Sequence, residues 1–284
     1  MPKKIHIHLV SDSTGDTARH VADACLSQFA GVDVIDHMWP LVRGEAAVKL
    51  VMHGLLQNPG LVIATFADGQ IGDMVRVACE KMAVPYISVL DPVMQGLSKY
   101  IGEKATTEPG KQHALTEDYF NRMEAIDFAM QHDDGQMADR LREAEVILLG
   151  VSRTSKTPTC IYLSHRGIKA ANVPIVPGID LPAELFTATA PLIVGLTNDP
   201  ERLVQIRKSR MSMMHSGDKW DEKSAYVDAD QVRNELKMAN RLFGQYGWPV
   251  IDTTRKSVEE TAAIILQLYQ IHRESRPSIR PVTK

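Results

Sequence analysis

Residues 150–157 read Gly-Val-Ser-Arg-Thr-Ser-Lys-Thr, between the apolar run Val146-Ile147-Leu148-Leu149 and the run Pro158-Thr159-Cys160-Ile161-Tyr162-Leu163. A loop of this kind between a strand and a helix is an anion site, because its backbone N–H groups and the positive end of the following helix converge on one point. The ligand class it names is a phosphate chain. The generic phosphate loop is Gly-x4-Gly-Lys-Ser/Thr, and here Ser155 stands where the second glycine is expected, giving up glycine's freedom at positive φ. In that pattern the amides of Gly150, Val151, Ser152, Arg153, Thr154 and Ser155 bind bridging oxygens, Lys156 reaches the terminal phosphates and the Thr157 hydroxyl coordinates magnesium. Pro158 falls in the first helical turn, where a missing N–H removes no bond. Arg153 adds a permanent charge inside the loop, suited to grip a phosphoryl oxygen. The plain alternative is a Ser/Thr-rich surface turn with a solvated lysine.

Phosphoryl transfer to a hydroxyl also needs a carboxylate near the acceptor or the metal. Asp180, in Pro177-Gly178-Ile179-Asp180-Leu181-Pro182 just past a strand expected to end at Val176, is the first choice for base or metal-shell ligand; an aspartate beside Gly and Pro equally suits a turn. Asp199 and Asp252 are rivals at other strand ends. Arg207 and Arg210 stand one helical turn apart and could close over transferring phosphates, or simply form a solvated helix face. Near the start, Ser11-Asp12-Ser13-Thr14-Gly15-Asp16-Thr17 joins a strand to a helix with hydroxyls and a glycine that suit an oxyanion, or a capped turn without ligand. Asp68-Gly69 closes another strand on what would be the same edge. His6 and His8 share one strand face, but with no His-Glu-x-x-His pattern and no close cysteine pair, no structural metal is assigned.

The elements that must hold these residues follow one alternation. Over the first hundred residues, strands at 5–10, 32–37, 61–65 and 86–90 alternate with amphipathic helices near 16–28, 45–56, 71–82 and 93–100, which argues a parallel sheet covered on both faces. The pattern lapses around Pro109-Gly110. Thr116 then N-caps a helix that ends at Asp133-Asp134-Gly135. A second unit carries strand 146–149, the phosphate loop and its helix, strands near 173–176 and 192–196, and a helix over 200–211. A helix over 231–243, strand 250–251 and a last helix opened by the capping box Ser257-Val258-Glu259-Glu260 complete it. The fold class is therefore α/β: an N-terminal doubly wound parallel-sheet domain (1–105), a linker (106–115) and a P-loop-kinase-like α/β domain (116–284). A length of 284 residues suits two such domains.

A net charge of -3 gives no general attraction to nucleic acid or to an anionic membrane, so partners must be recognised locally. The apolar start is broken by His6, His8 and Ser11-Asp12, too soon for a signal peptide or membrane span, and a cytoplasmic protein is expected. Cys25, Cys79 and Cys160 stand far apart and read as reduced core residues.

Three strings carry a family resemblance: His8-Leu9-Val10-Ser11-Asp12-Ser13-Thr14-Gly15; Arg122-Met123-Glu124-Ala125-Ile126-Asp127-Phe128 with His132-Asp133-Asp134-Gly135; and residues 150–159. Through them the chain resembles the bacterial pyruvate, phosphate dikinase regulatory proteins and their close relatives that act on phosphoenolpyruvate synthase. Asp-Ser-Thr-Gly near the start and Ser-Lys-Thr in the loop look like the dikinase branch. The resemblance implies a bifunctional serine/threonine kinase and phosphorylase. ADP-dependent phosphorylation of a threonine near the dikinase's catalytic histidine switches that enzyme off, and phosphate-dependent removal, releasing pyrophosphate, switches it on. One cradle at 150–157 would hold the diphosphate of ADP in one direction and inorganic phosphate in the other. Nothing in the loop counts phosphates, so ADP as donor comes from the resemblance alone. Expected partners are pyruvate, phosphate dikinase, or alternatively phosphoenolpyruvate synthase, as the protein substrate, the nucleotide with magnesium, and a second copy of the chain in a homodimer. Two rival readings remain: a small-molecule kinase of the nucleoside- or shikimate-kinase type, and a nucleotide-sensing binding protein without chemistry.

Overall fold

The computed structural model describes residues 3–111, 117–214 and 226–275. The chain divides into two compact units, Met1–Ala114 and Leu115–Lys284, each an α/β structure around its own four-stranded parallel sheet. The elements of the first are β1 (Lys3–Ser11), α1 (Asp16–Leu26), β2 (Val32–Trp39), α2 (Glu45–Gln57), β3 (Leu61–Thr65), α3 (Gly69–Lys81), β4 (Tyr86–Ser88) and α4 (Leu90–Ile101). Their strands lie in the order β2-β1-β3-β4. Alternate residues of the strands point to opposite faces, and two apolar clusters result: Ile7, Leu9 and Ile63 with Ala18 and Ala22 of α1, and Val10, Val62 and Ala64 with α2 and α3. β4 is shorter than the 86–90 expected and α4 begins earlier, because the apolar run through Val89 and Leu90 carries no sign of where strand gives way to helix.

The polar turn after β1 is tied to β3. Ser11 Oγ donates to the Thr65 carbonyl at 3.1 Å, and the buried Asp12 carboxylate accepts the amides of Ala67 and Asp68 at 2.7 and 2.9 Å. Asp68 in turn caps α3 through the amides of Gln70 and Ile71. Trp39 Nε1 donates to Nδ1 of the buried His8, which leaves Nε2 to donate to the Asn58 carbonyl. Burial is the largest cause of the lowered His8 pKa. Cys79 and Cys160 are buried as expected, whereas Cys25, on the stripe of Ala18 and Ala22 but in the last turn of α1, is exposed.

The second unit contains α5 (Glu117–Gln131), a 3-10 helix (Ala138–Glu143), β5 (Val146–Gly150), α6 (Lys156–Ser164), β6 (Ala170–Pro174), α7 (Ala183–Thr187), β7 (Leu192–Thr197), α8 (Pro200–Met214), α9 (Ala229–Tyr246), β8 (Val250–Asp252) and α10 (Val258–Glu274). The sheet order is β6-β5-β7-β8, the same wiring as in the first unit. β5 is central and buried throughout: Ile147 and Leu149 pack toward α8 and α9, Val146 and Leu148 toward α6 and α10. The capping box at Ser257 forms as the sequence predicts, with Ser257 Oγ accepting from the Glu260 amide and the Glu260 carboxylate from the Ser257 amide. Thr116, read as an N-cap, lies outside the described residues. β6 begins at Ala170 rather than near 173, since Ala170 and Ala171 are too small to signal a strand but fit the packed interior.

Candidate active site

The loop at the carboxyl end of β5 takes its shape from three constraints. Gly150 has no room for a side chain, as a Cβ there would stand 2.6 Å from the Leu196 carbonyl oxygen and 2.7 Å from Thr154 Oγ1. Arg153 and Ser155 both adopt left-handed backbone, at φ 73° and 67°. Such a conformation costs a non-glycine residue about 1–2 kcal/mol, so the surrounding bonds must hold it. The Val151 carbonyl accepts from Thr154 Oγ1 and from Lys156 Nζ, each at 3.0 Å. Among the described residues, the N–H groups of Ser152, Arg153 and Ser155 have no hydrogen-bond partner, while Thr154 closes the turn that begins at Val151. Carbonyls turned inward and amides left over are what an anion-binding nest requires. Ser155 thus makes, as a serine, the turn for which the generic loop uses glycine. α6 starts immediately after it, with Pro158 in its first turn.

Lys156 is 6% exposed and its ammonium has no carboxylate within ion-pair distance among the described residues. Burial pushes its pKa down to about 8, against the pull of Asp134, Cys160 and Asp133 and with a further push from Arg207. The charge is therefore poorly compensated until an anion arrives. The Thr157 hydroxyl donates to Asp133 Oδ1 at 2.9 Å, and Asn172 Nδ2 donates to the same oxygen at 2.6 Å and to Thr157 Oγ1 at 3.0 Å. Among the described residues, Asn172 Oδ1 is buried without a partner. One carboxylate and one hydroxyl beside a phosphate site form the donor set that suits magnesium, which keeps waters and takes its other ligands from phosphate oxygens. Asp133 and Thr157 would hold such an ion.

A cleft of about 1120 Å³ opens over this loop. Its lining includes Asp133, Asp134, Ser152, Arg153, Lys156, Thr157, Asp180, Arg207 and Tyr226. Asp180 is exposed, on the 175–182 segment, which also brings Val176, Pro177, Ile179 and Leu181 to the cleft. Asp199 and Asp252 do not line it. Asp199 caps α8 through the amides of Glu201 and Arg202, and Asp252 holds its own turn through Thr254. The helical pair Arg207 and Arg210 is split: Arg210 is exposed, whereas Arg207 is buried against the loop and Glu235. Asp133 and Asn172 escaped the sequence reading. They sit 24 and 15 residues from Thr157, separations with no local pattern, and Asp133 looked like a helix-ending turn.

A family model described as kinase/pyrophosphorylase matches residues 7–266, which takes in both units and the whole loop. The chain belongs to the kinase/pyrophosphorylase family. A protein from Paramagnetospirillum magneticum is 47% identical over 274 residues, covering 96% of this chain and 87% of its own length. One from Rhodospirillum rubrum is 48% identical over 262 residues, covering 92% and 94%. Both are named as pyruvate, phosphate dikinase regulatory proteins. Among solved structures, a periplasmic sugar binding protein from Legionella pneumophila aligns at TM-score 0.24 and 12% identity over 93% of this chain and 86% of its own, too weak a likeness to bear on fold or function. As a kinase/pyrophosphorylase, the protein is a kinase-type phosphotransferase. No helix among the described residues is long and apolar enough to cross a membrane.

Proposed function

We propose that this kinase/pyrophosphorylase regulates a pyruvate, phosphate dikinase by moving one phosphoryl group on and off a threonine, with ADP as donor and inorganic phosphate as acceptor. The observation that carries the reading is the loop 150–157, with unpartnered amides, a buried ammonium at Lys156, and the Thr157–Asp133 pair beside it. The target is suggested by the names of relatives that match over nearly the whole chain.

In the forward direction the threonine oxygen bonds to the terminal phosphorus of ADP, the bridging P–O bond breaks, AMP leaves, and the hydroxyl proton passes to a carboxylate. In the reverse direction an oxygen of inorganic phosphate attacks the phosphothreonine phosphorus, pyrophosphate forms, and the threonine oxygen recovers a proton. Both reactions place two phosphoryl groups in a row on one cradle, so the loop amides, Arg153 and Lys156 stabilise the same charge in each. Asp133 and Thr157 would hold magnesium, which would supply positive charge against the phosphate oxygens, and Asn172 keeps those two side chains in register.

Two carboxylates compete for the proton. Asp134 lines the cleft next to Asp133 and exerts the largest carboxylate pull on Lys156. Asp180, exposed like Asp134, lines the cleft from the 175–182 segment among Val176, Pro177, Ile179 and Leu181. We assign the base to Asp134 and leave Asp180 to seat the protein substrate. The direct test incubates the protein with ADP, magnesium and the dikinase and locates the phosphate by mass spectrometry. Transfer to a threonine supports the assignment, transfer to a metabolite or none removes it. Lys156→Ala, if folded, should lose both directions; substantial retention of either rules out a shared cradle. Asp134→Asn should lower kcat and spare KM, with the opposite pattern in Asp180→Asn.

A further inference from the structure

Arg207 is 1% exposed, yet its guanidinium lies beside the phosphate loop. Its Nη2 pairs with Glu235 Oε2 at 2.6 Å and also donates to the Ser152 carbonyl at 3.2 Å, with Nε a longer 3.4 Å from the same oxygen. Nη1 donates to the Tyr226 carbonyl at 3.0 Å, and the guanidinium carbon stands 4.6 Å above the Tyr226 ring centre. That tyrosine's hydroxyl reaches back to Ser152 Oγ at 3.1 Å and to Arg153 Nε at 3.4 Å. Arg207 of α8 therefore bonds the carbonyl of the peptide between Ser152 and Arg153, Tyr226 holds the two side chains that flank it, and Glu235 of α9 backs the guanidinium.

The reason is geometric. If that peptide rotated, the Ser152 carbonyl would face the anion and the Arg153 amide would turn away, converting a donor of the nest into a repulsive acceptor. The left-handed backbone of Arg153 gives the loop a standing tendency to relax in this way. A planar fork with fixed donor directions can hold a carbonyl and a carboxylate at once, which an ammonium on a flexible stem cannot.

We infer that Arg207 is a positioning residue: with Glu235 behind it, it clamps the Ser152 carbonyl so that the loop amides stay turned toward the phosphate. This rests on the phosphate-loop reading above. It gives Arg207 no contact with the transferring group, unlike the clamp its spacing with Arg210 suggests.

The test uses the full chain with Arg207→Met, Arg207→Lys and Glu235→Gln. Binding of magnesium-ADP is measured by calorimetry with adenosine as the phosphate-free control, and amide hydrogen exchange is followed across 151–157. Arg207→Met and Arg207→Lys should each weaken ADP roughly 10- to 100-fold while adenosine stays within about 2-fold, because only the phosphate contacts depend on the loop's geometry. Exchange in the loop should accelerate while β5 stays protected, and Glu235→Gln should show a smaller loss. Wild-type affinity in Arg207→Lys would show that charge alone suffices and overturn the inference, as would equal losses for ADP and adenosine, or unchanged loop exchange. Should Arg207→Met not fold, Arg207→Lys decides. If the wild type binds no ADP, the phosphate-loop reading fails, and the exchange measurement still judges the clamp.

Discussion

Replacing Lys156 by methionine should make the empty protein more stable at neutral pH while destroying its affinity for phosphate. The side chain is 6% exposed and, among the described residues, its ammonium bonds only the Val151 carbonyl, at 3.0 Å. A shift from 10.5 to about 8 means that burial disfavours the charged form by about 3 kcal/mol at any pH below both values. Methionine fills similar space without that charge but gives up the bond to Val151, a loss of about 1 kcal/mol. A net gain of about 2 kcal/mol remains, or on the order of 5 °C for the transition of the unit that holds the loop. The sign with pH follows from which state binds more protons. Between about pH 8 and 10.5 the unfolded lysine is protonated and the folded one is not, so wild-type stability rises through that window and the advantage of the variant fades. Urea unfolding at pH 7 and pH 10, paired with calorimetry of magnesium-ADP at pH 7, measures both halves. A variant less stable than wild type at pH 7, or a stability difference that is the same at both pH values, would refute the argument.

Gly150→Ala should destabilise by about 1–3 kcal/mol and abolish ADP binding, since its methyl would press on the Leu196 backbone; thermal unfolding and calorimetry check it. Ser155→Gly should do the reverse, relieving left-handed strain for a gain of about 1 kcal/mol in urea unfolding with ADP affinity kept, and a loss of stability would contradict the strain account. Asp133→Ala should erase the difference between ADP affinities measured with magnesium and with a chelator, because Thr157 alone is too weak a donor to hold the ion; a persisting difference points to other ligands. Acidic conditions offer a further check: His8 accepts from Trp39 through Nδ1, so protonating it breaks that bond, and with its folded pKa lowered the stability it lends is present above the ordinary histidine value and falls as pH drops through that range.

Much of this was legible in the residue order. β5 and its loop announced themselves because four apolar residues, a glycine and a Lys-Thr pair all fall within 146–157, and the capping box at Ser257 because its two partners are three residues apart. What escaped was whatever depends on distant pairing. Asp133, Asn172 and Thr157 meet only after β6 is laid beside β5, and Asn172 itself was hidden at the start of a strand whose first two residues are alanines. Arg207 was misread for a subtler reason. Leu203 and Arg207, four apart, are both fully buried, so the guanidinium belongs to the inward stripe of α8. The five residues of α7 are too few to show any period.

The apolar clusters also bear on how the molecule comes apart. Two belong wholly to the first sheet and two wholly to the second, so nothing in the cores obliges the halves to melt together. Calorimetric scans should then resolve two endotherms, and a nucleotide bound at 150–157 should move one of them and leave the other as a fixed marker within the same trace.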